Sequence, residues 1–272
     1  MHEDTLASIS GAAKKKIELL RESRLKYLMS AGLAGLFIGF GIMLIFVIAG
    51  LMAGNPASKI VMGVAFPVAL SLVVALGTEL FTGNNMVGMA GFLNKAITGK
   101  DLIEMWVSSY IGNLIGSIIG GALFFYSGVA SQPIAAAIVK GSVGKITAPA
   151  GQLFFRGILC NFLVCLAVLA GIKLKEETAK LIMVFWCLFV FITAGFEHSV
   201  ANMTLLTIGA LIDGTKVTLS GFAYNLLFVT LGNIVGGSFI GFAYYFIGKE
   251  KNRKNRKNEI NQFRLISFLD GK

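Results

Sequence analysis

Two polar stretches decide the fold of this 272-residue chain, Glu79-Leu80-Phe81-Thr82-Gly83-Asn84 and Glu197-His198-Ser199-Val200-Ala201-Asn202. Each interrupts an apolar segment, 60–97 for the first and 179–212 for the second. Because a membrane span needs about 20 apolar residues, both segments are too long for one simple span, and each is predicted to be a broken helix. Irregular backbone at membrane depth occurs only where it is buried in protein or lines a cavity. The two breaks are therefore the first place to look for function.

The composition indicates an integral membrane protein. Hydrophobic residues make up 56% of the chain and charged residues only 14%, with a mean hydropathy of +0.77. A soluble chain averages roughly a quarter charged residues, so disorder, coiled coil and secreted disulfide scaffolds are excluded. The three cysteines show no paired spacing for a disulfide or a metal site. With further apolar stretches at 28–52, 102–127, 150–172 and 217–247, we predict an all-α membrane protein with six transmembrane helices.

The distribution of basic residues predicts the topology. Of the 24 Lys and Arg residues, 19 lie in residues 1–27, 95–100, 173–180 and 248–272. Cytoplasmic connections carry the excess of basic residues, so both termini are predicted to be cytoplasmic in the plasma (inner) membrane. The N-terminal segment is predicted to be an amphipathic helix on the membrane surface, and the C-terminal one a basic tail that contacts anionic lipid. The net charge of +10 thus reports topology, and nucleic acid is not an expected partner.

The two halves of the chain share motifs at a constant displacement. Gly112-Asn113-Leu114-Ile115-Gly116 recurs 120 residues later as Gly232-Asn233-Ile234-Val235-Gly236, and the E-x-x-x-x-N frame of the breaks recurs after 118 residues. Spans 2 and 3 thus correspond to spans 5 and 6, whereas spans 1 and 4 are paired by count alone. Three spans per half is an odd number, so the second half must be inverted. Residues 28–127 and 150–247 are predicted to form an inverted 3+3 repeat, an architecture typical of transport proteins.

Few polar side chains lie inside the predicted spans. Glu79 and Glu197 are the only acidic residues deep in them. With Asn84 and Asn202 they are interpreted as structural anchors at the breaks, with pore lining or a proton relay as the alternative. His198 is the single interior histidine, and histidine is the side chain that changes charge near neutral pH. Its place at a break makes it a functional candidate.

Three further polar residues accompany the breaks. Thr82 offers a hydroxyl that can donate or accept. Asn161 adds an amide in the fourth span, for which a plain interhelical hydrogen bond is the alternative. Lys145 lies in the connection before that span and could draw anions toward a pore, with an ordinary loop lysine as the alternative.

Four ordered motifs resemble the formate/nitrite transporter family. The similarity runs from about Tyr27 to Phe246 and is closest to the nitrite and hydrosulfide channel branches. The resemblance implies a homopentamer of aquaporin-like six-helix protomers, each with its own pore, and no cofactor. The motifs are residues 79–84, 157–167, 195–203 and 232–233.

The resemblance also implies roles for individual residues. The central histidine falls on His198, the threonine of a mobile loop on Thr82 and the vestibule lysine on Lys145. The family's two asparagines fall on Asn161 and Asn233. The implied outer constriction consists of Phe66, Phe81 and Val164, and the inner one of Leu70, Leu80 and Phe191.

These residues lead to a hypothesis for the passage of small monovalent anions of weak acids, with hydrosulfide as the best guess beside formate and nitrite. An anion that crosses an apolar ring loses its hydration at a large cost. Lys145 would attract the anion, and His198, with Thr82 and Asn161, would hydrogen-bond it between the constrictions. Protonated His198 would hold the anion or hand it a proton, so that it leaves as a neutral acid.

Two other transport functions fit the same architecture, a proton-coupled nitrite or formate transporter and an aquaporin-like channel for neutral solutes. The paired Asn-Pro-Ala signature of the latter is missing, since Asn55-Pro56-Ala57 occurs once, in a short connection. An enzyme is not expected, because no Ser–His, Cys–His or His-x-x-x-His arrangement lies within the spans.

Overall fold

The computed structural model describes the backbone of residues 2–269 and the side chains of residues 2–249. The described backbone is helical apart from short connections. Side chains 250–272 of the predicted basic tail lie outside the described residues, as does its expected lipid contact. The helices are α1 His2–Glu22, α2 Arg24–Leu51, α3 Ser58–Ala65, α4 Val68–Leu76, α5 Phe81–Leu93, α6 Gly99–Tyr126, α7 Ile134–Ile146, α8 Ala150–Lys173, α9 Glu177–Ala194, α10 Ser199–Ile212 and α11 Leu219–Leu269.

Six helical stretches of the described chain are long and apolar enough to cross a membrane. The first, third, fourth and sixth coincide with the predicted spans within a few residues. The second and fifth begin within a few residues of the predicted segments 60–97 and 179–212 but end at Leu76 and Ala194, before the polar stretches. The prediction of an all-α protein with six candidate membrane-spanning helices is therefore confirmed. The stretches are Arg24–Leu51, Ser58–Leu76, Gly99–Tyr126, Ala150–Lys173, Glu177–Ala194 and Leu219–Lys249.

Glycine ends the helix that precedes each polar stretch. Gly77 follows α4 with φ 65°, and Gly195 follows α9 with φ 77°. Glycine adopts this left-handed conformation without the steric cost that other residues incur. After four non-helical residues the chain resumes as α5 at Phe81 and as α10 at Ser199.

The N-terminal helix packs against protein with its apolar side. Ile9, Ala13 and Ile17 of α1 are buried in one cluster with residues of α5, α6 and α8. The sequence predicts a helix on the membrane surface, and the structure adds this contact with the helical body. One more helix, α7, which was not among the predicted elements, lies between the third and fourth spans and contacts α2 and α10.

Glycines allow two pairs of helices to approach closely. In the α2–α6 pair, a Cβ on Gly116 would overlap the carbonyl oxygen of Gly32. In the α8–α11 pair, a Cβ on Gly232 would overlap the carbonyl oxygen of Phe154. Helices in membranes associate through such small residues, because lipid tails are as apolar as leucine and give little hydrophobic drive.

Replacing Gly116 should loosen the α2–α6 contact. We expect Gly116→Ala to lower stability by about 1–3 kcal/mol, the usual cost of overpacking, and to lower the thermal unfolding midpoint measured in detergent by size exclusion. Gly120→Ala, one turn along α6, is the control, because its Cβ would meet only the mobile ends of Leu36 and Met43. Equal midpoints for the two variants would contradict the proposed close contact.

Candidate functional site

Two helix N-termini face each other in the protein interior. α5 begins at Phe81 and α10 at Ser199, and the residues beside these starts are in contact. The Nε2 atom of His198 lies 3.0 Å from Oγ1 of Thr82, and both side chains are buried. A helix N-terminus carries a partial positive charge and backbone N–H groups without helical partners. The space around this contact therefore favours an anion.

The partners of His198 assign the position of its ring proton. His198 is the N-cap of α10, and its Nδ1 accepts a hydrogen bond from the backbone N–H of Ala201 at 3.1 Å. A ring nitrogen that accepts carries no hydrogen, so the proton is on Nε2 and is donated to Oγ1 of Thr82. The hydrogen of the Thr82 hydroxyl is left to point at another acceptor. The ring of Phe191 stacks against the imidazole, with the ring centroids 6.0 Å apart.

Glu197, the residue before this histidine, is buried in a network of polar side chains. Its Oε2 accepts from Nζ of Lys145 and from Nδ2 of Asn202, both at 2.7 Å. Asn202 also donates to Oδ1 of Asn225, and Asn225 donates to the backbone carbonyl of Lys145. The network joins the second break to α7, α10 and α11.

Glu79 has an equivalent network at the first break. Nζ of Lys16, on α1, lies 2.9 Å from both carboxylate oxygens of Glu79. Nδ2 of Asn84 lies 3.0 Å from Oε2 of Glu79 and 3.0 Å from the hydroxyl of Tyr27. The sequence pattern does not distinguish Lys16 from the other basic residues of the N-terminal segment, so this partner was not predicted. An alignment of the two halves extended upstream could have found it, because Lys16 precedes α2 as Lys145 precedes α8.

Asn113 of α6 bonds to both sides of the first break. Its Oδ1 accepts from the backbone N–H of Phe81 at 2.9 Å. Its Nδ2 donates to the carbonyl of Glu79 at 2.9 Å and to the carbonyl of Ala31 at 2.7 Å. One side chain thus provides an acceptor for the first backbone N–H of α5 and connects the break to α2.

Asn233 of α11 does the same at the second break. Its Oδ1 accepts from the backbone N–H of Ser199 at 2.9 Å, and its Nδ2 donates to the carbonyls of Glu197 and Gly157. The carbonyls of Ala31 in α2 and Gly157 in α8 therefore accept equivalent hydrogen bonds in the two halves. This equivalence supplies a match between the first and fourth spans that the sequence did not reveal.

Asn161 supports the backbone that carries Thr82. Its Nδ2 lies within hydrogen-bond distance of the Thr82 carbonyl at 3.2 Å, of Oδ1 of Asn85 at 3.0 Å and of the Asn233 carbonyl. The structure therefore brings together Thr82, His198, Asn161 and Asn233. Glu79 and Asn84 form a separate group with Lys16.

The residues assigned to the constrictions are buried, but their grouping differs from the one that the resemblance implied. The ring of Phe191 contacts the ring of Phe66 edge-on, with centroids 5.4 Å apart. Phe191 also lines a cavity together with Lys145. The nine residues of α4, about 13 Å of helix, separate Phe66 from the break that carries Leu80. The buried set is Phe66, Leu70, Leu80, Phe81, Val164 and Phe191.

A cavity of about 800 Å³ gives access to His198 from one side. We name it the Lys145 cavity. Its wall includes Lys145, Glu197, Phe191 and residues of α2, α3 and α7. The site thus consists of a buried hydroxyl–imidazole pair beside an open cavity with charged walls.

Comparison with known proteins identifies the family. Residues 3–247 match the formate/nitrite transporter family. The nitrite transporter NirC of Escherichia coli (strain K12) is 37% identical over 257 residues, which cover 93% of this chain and 95% of that protein. Both proteins thus match over nearly their whole length.

Two solved structures share the fold. One, described as an FNT family ion channel, superposes with a TM-score of 0.86 at 38% identity and covers 90% of this chain and 98% of that one. A pentameric formate channel with formate bound superposes with a TM-score of 0.74 at 29% identity and covers 84% of this chain and 98% of that one. The chain therefore belongs to the formate/nitrite transporter family, and it is a multi-pass membrane transport protein, not an enzyme.

Proposed function

We propose that the chain is a channel for small monovalent anions of weak acids, namely nitrite and formate, with hydrosulfide as a further substrate. The observation that carries the proposal is the meeting of two helix N-termini at the buried contact between Thr82 and His198. The similar proteins named for nitrite and for bound formate support this substrate class. Hydrosulfide shares their small size and single charge.

We propose further that the channel is a homopentamer in the lipid bilayer of the plasma membrane, with both termini cytoplasmic. The similar formate channel is pentameric, which supports the assembly, and the distribution of basic residues supports the orientation. In this orientation the Lys145 cavity opens to the outside. Segments 1–27 and 248–272 are then cytoplasmic and flank the channel domain 28–247.

The proposed architecture is an inverted 3+3 repeat of residues 28–127 and 150–247, with the second and fifth spans interrupted. Two sets of equivalent contacts support it. Asn113 and Asn233 bond to the two breaks in the same way. Lys16 and Lys145 pair with the glutamates of the breaks in the same way.

The proposed path begins at the Lys145 cavity. Near Phe66, Leu70 and Phe191 the anion loses water, and the cost of this desolvation is offset by the two helix N-termini and by the free hydrogen of the Thr82 hydroxyl. Asn161 contributes by holding the backbone of Thr82. The anion then leaves past a second apolar group. That group is Leu80, Phe81 and Val164.

The hydrogen bonds of His198 favour a donor role over proton transfer. Nε2 carries the only ring proton, and its loss would leave an imidazolate anion. Where a proton accompanies the anion, we propose that it comes from water in the Lys145 cavity. His198 then acts by donating to Thr82, which frees the threonine hydroxyl for the anion.

The alternative transport modes can be separated in proteoliposomes that contain a pH indicator and a potential-sensitive dye. A channel for the bare anion changes the membrane potential when nitrite or formate is added. A proton-coupled transporter changes the internal pH without a change in potential. A channel for neutral solutes that excludes both the anion and its undissociated acid changes neither.

Removing the ring of His198 should lower nitrite flux strongly. His198→Ala loses both the donor to Thr82 and the cap of α10. Because a hydrogen bond to a charged group contributes about 1.5–3 kcal/mol, we expect roughly a 10- to 100-fold loss of flux in proteoliposomes. His198→Asn is the matched variant, since asparagine caps helices well and donates a neutral N–H, and it should keep most of the flux. A loss in His198→Asn as large as that in His198→Ala would argue against a neutral donor.

Enlarging the second apolar group should relax size selectivity. Phe81 is 2% exposed, and Phe81→Ala should raise the flux of acetate and lactate relative to nitrite, because a wider passage admits larger anions. The control is Phe155→Ala, which removes the same atoms from a side chain that is 64% exposed. If the ratio of acetate to nitrite flux stays the same in both variants, Phe81 is not part of the filter.

A further inference from the structure

The Lys145 cavity has an excess of positive charge. Four cationic side chains line it against a single carboxylate among the described residues. The carboxylate is Glu197. The cations are Lys59, Lys140, Lys145 and Arg156.

The charge of Lys145 is neutralised by Glu197. Its Nζ lies 2.7 Å from Oε2 of Glu197, and the two side chains are 22% and 5% exposed. Asn225 donates to the backbone carbonyl of Lys145 and fixes its position. An ion pair has no net charge, so its field falls off steeply with distance. Lys145 is therefore suited to hold Glu197 at the break, and it contributes little to the attraction of a distant anion.

The other three cations are not offset. Within the part of the chain whose side chains are described, residues 2–249, no carboxylate forms an ion pair with Lys59, Lys140 or Arg156. Both lysines are exposed, and Arg156 donates to the neutral amide oxygen of Gln152 at 3.0 Å. Three positive charges without an ion-pair partner thus line a cavity that also has His198 in its wall.

Lys59 reaches the backbone of the second break. Its Nζ lies 3.8 Å from the position that a Cβ on Gly195 would occupy. Gly195 is the C-cap of α9, where the carbonyl end of the helix carries a partial negative charge that stabilises a nearby cation. The ammonium group thus lies beside Gly195, three residues before His198 in the chain, and it still lines the open cavity.

We propose that Lys59, Lys140 and Arg156 form an anion-collecting site at the mouth of the Lys145 cavity, and that Lys145 holds Glu197 in place. The inference rests on the proposed function. Clefts lined by one sign of charge raise the local concentration of counter-ions and speed their entry by about 10- to 1,000-fold. The ligands are small, hydrated monovalent anions, since the exposed lysines leave their water in place. The site determines the anion concentration that gives half-maximal flux, whereas the maximal flux is determined deeper in the pore.

The test uses the full-length protein in proteoliposomes, with nitrite as the probe and sodium gluconate to set ionic strength. In Lys59→Gln/Lys140→Gln, we expect the nitrite concentration for half-maximal flux to rise about tenfold at low salt, while the maximal flux is unchanged. The difference should vanish near 1 M salt, because the screening length falls from about 30 Å at 0.01 M to about 3 Å. Lys216→Gln is the matched control, since Lys216 pairs with Asp213 and lies outside the cavity wall. It should behave like the unmodified protein.

Two results would overturn the inference. One is a double variant with an unchanged half-saturating concentration and unchanged salt dependence, while Lys145→Gln shifts both, which would make Lys145 the collecting residue. The other is an equal shift in Lys216→Gln, which would reduce the effect to overall charge. Both results leave the proposed anion channel intact. An unmodified protein that carries no nitrite, formate or hydrosulfide would overturn the proposed function and this site together.

Discussion

The structure depends on one constraint, the satisfaction of backbone groups in the protein interior where α4 gives way to α5 and α9 to α10. Each unpaired N–H or carbonyl buried there costs several kcal/mol. Asn113 and Asn233 avoid this cost with one side chain each, by accepting a hydrogen bond from the first N–H of the helix that begins and donating to the carbonyl two residues earlier. The lysine–glutamate pairs then fix the two connections against α1 and α7. Without these bonds the two helix N-termini would not be exposed toward a common point.

The two breaks are stabilised by the same kinds of hydrogen bond, but the residues that precede the new helices differ. His198 caps α10 with its side chain, whereas Leu80 at the equivalent place in α5 makes no such bond. The polar centre therefore has one imidazole and one hydroxyl, His198 and Thr82, in contact with each other. Each break thus contributes one member of this pair, and the first break adds the buried apolar side chains of Leu80 and Phe81 beside Thr82.

The sequence predicted well what depends on local pattern. Six spans follow from runs of apolar residues, and the positions of Glu79 and Glu197 follow from a repeated frame. It could not predict contacts between distant segments. Lys16 and Glu79 lie 63 residues apart, and the local sequence around one does not indicate that it pairs with the other. The partners of Asn161 come from α5 and α11, and the position of Phe191 beside Phe66 depends on how α4 and α9 pack.

The place of the two lysines in the chain has a consequence for its ancestry. Lys16 lies on a helix just before the first proposed half, and Lys145 lies on a helix just before the second. In the proposed inverted repeat, the repeating unit is then a short helix followed by three spans. A single such unit would have had to assemble with an oppositely inserted copy of itself, which requires little bias in the positive charge of its two ends. In the present chain 19 of 24 basic residues lie on one side of the proposed topology. A chain that joins both proposed halves needs only one orientation, so each half can carry different residues at the centre.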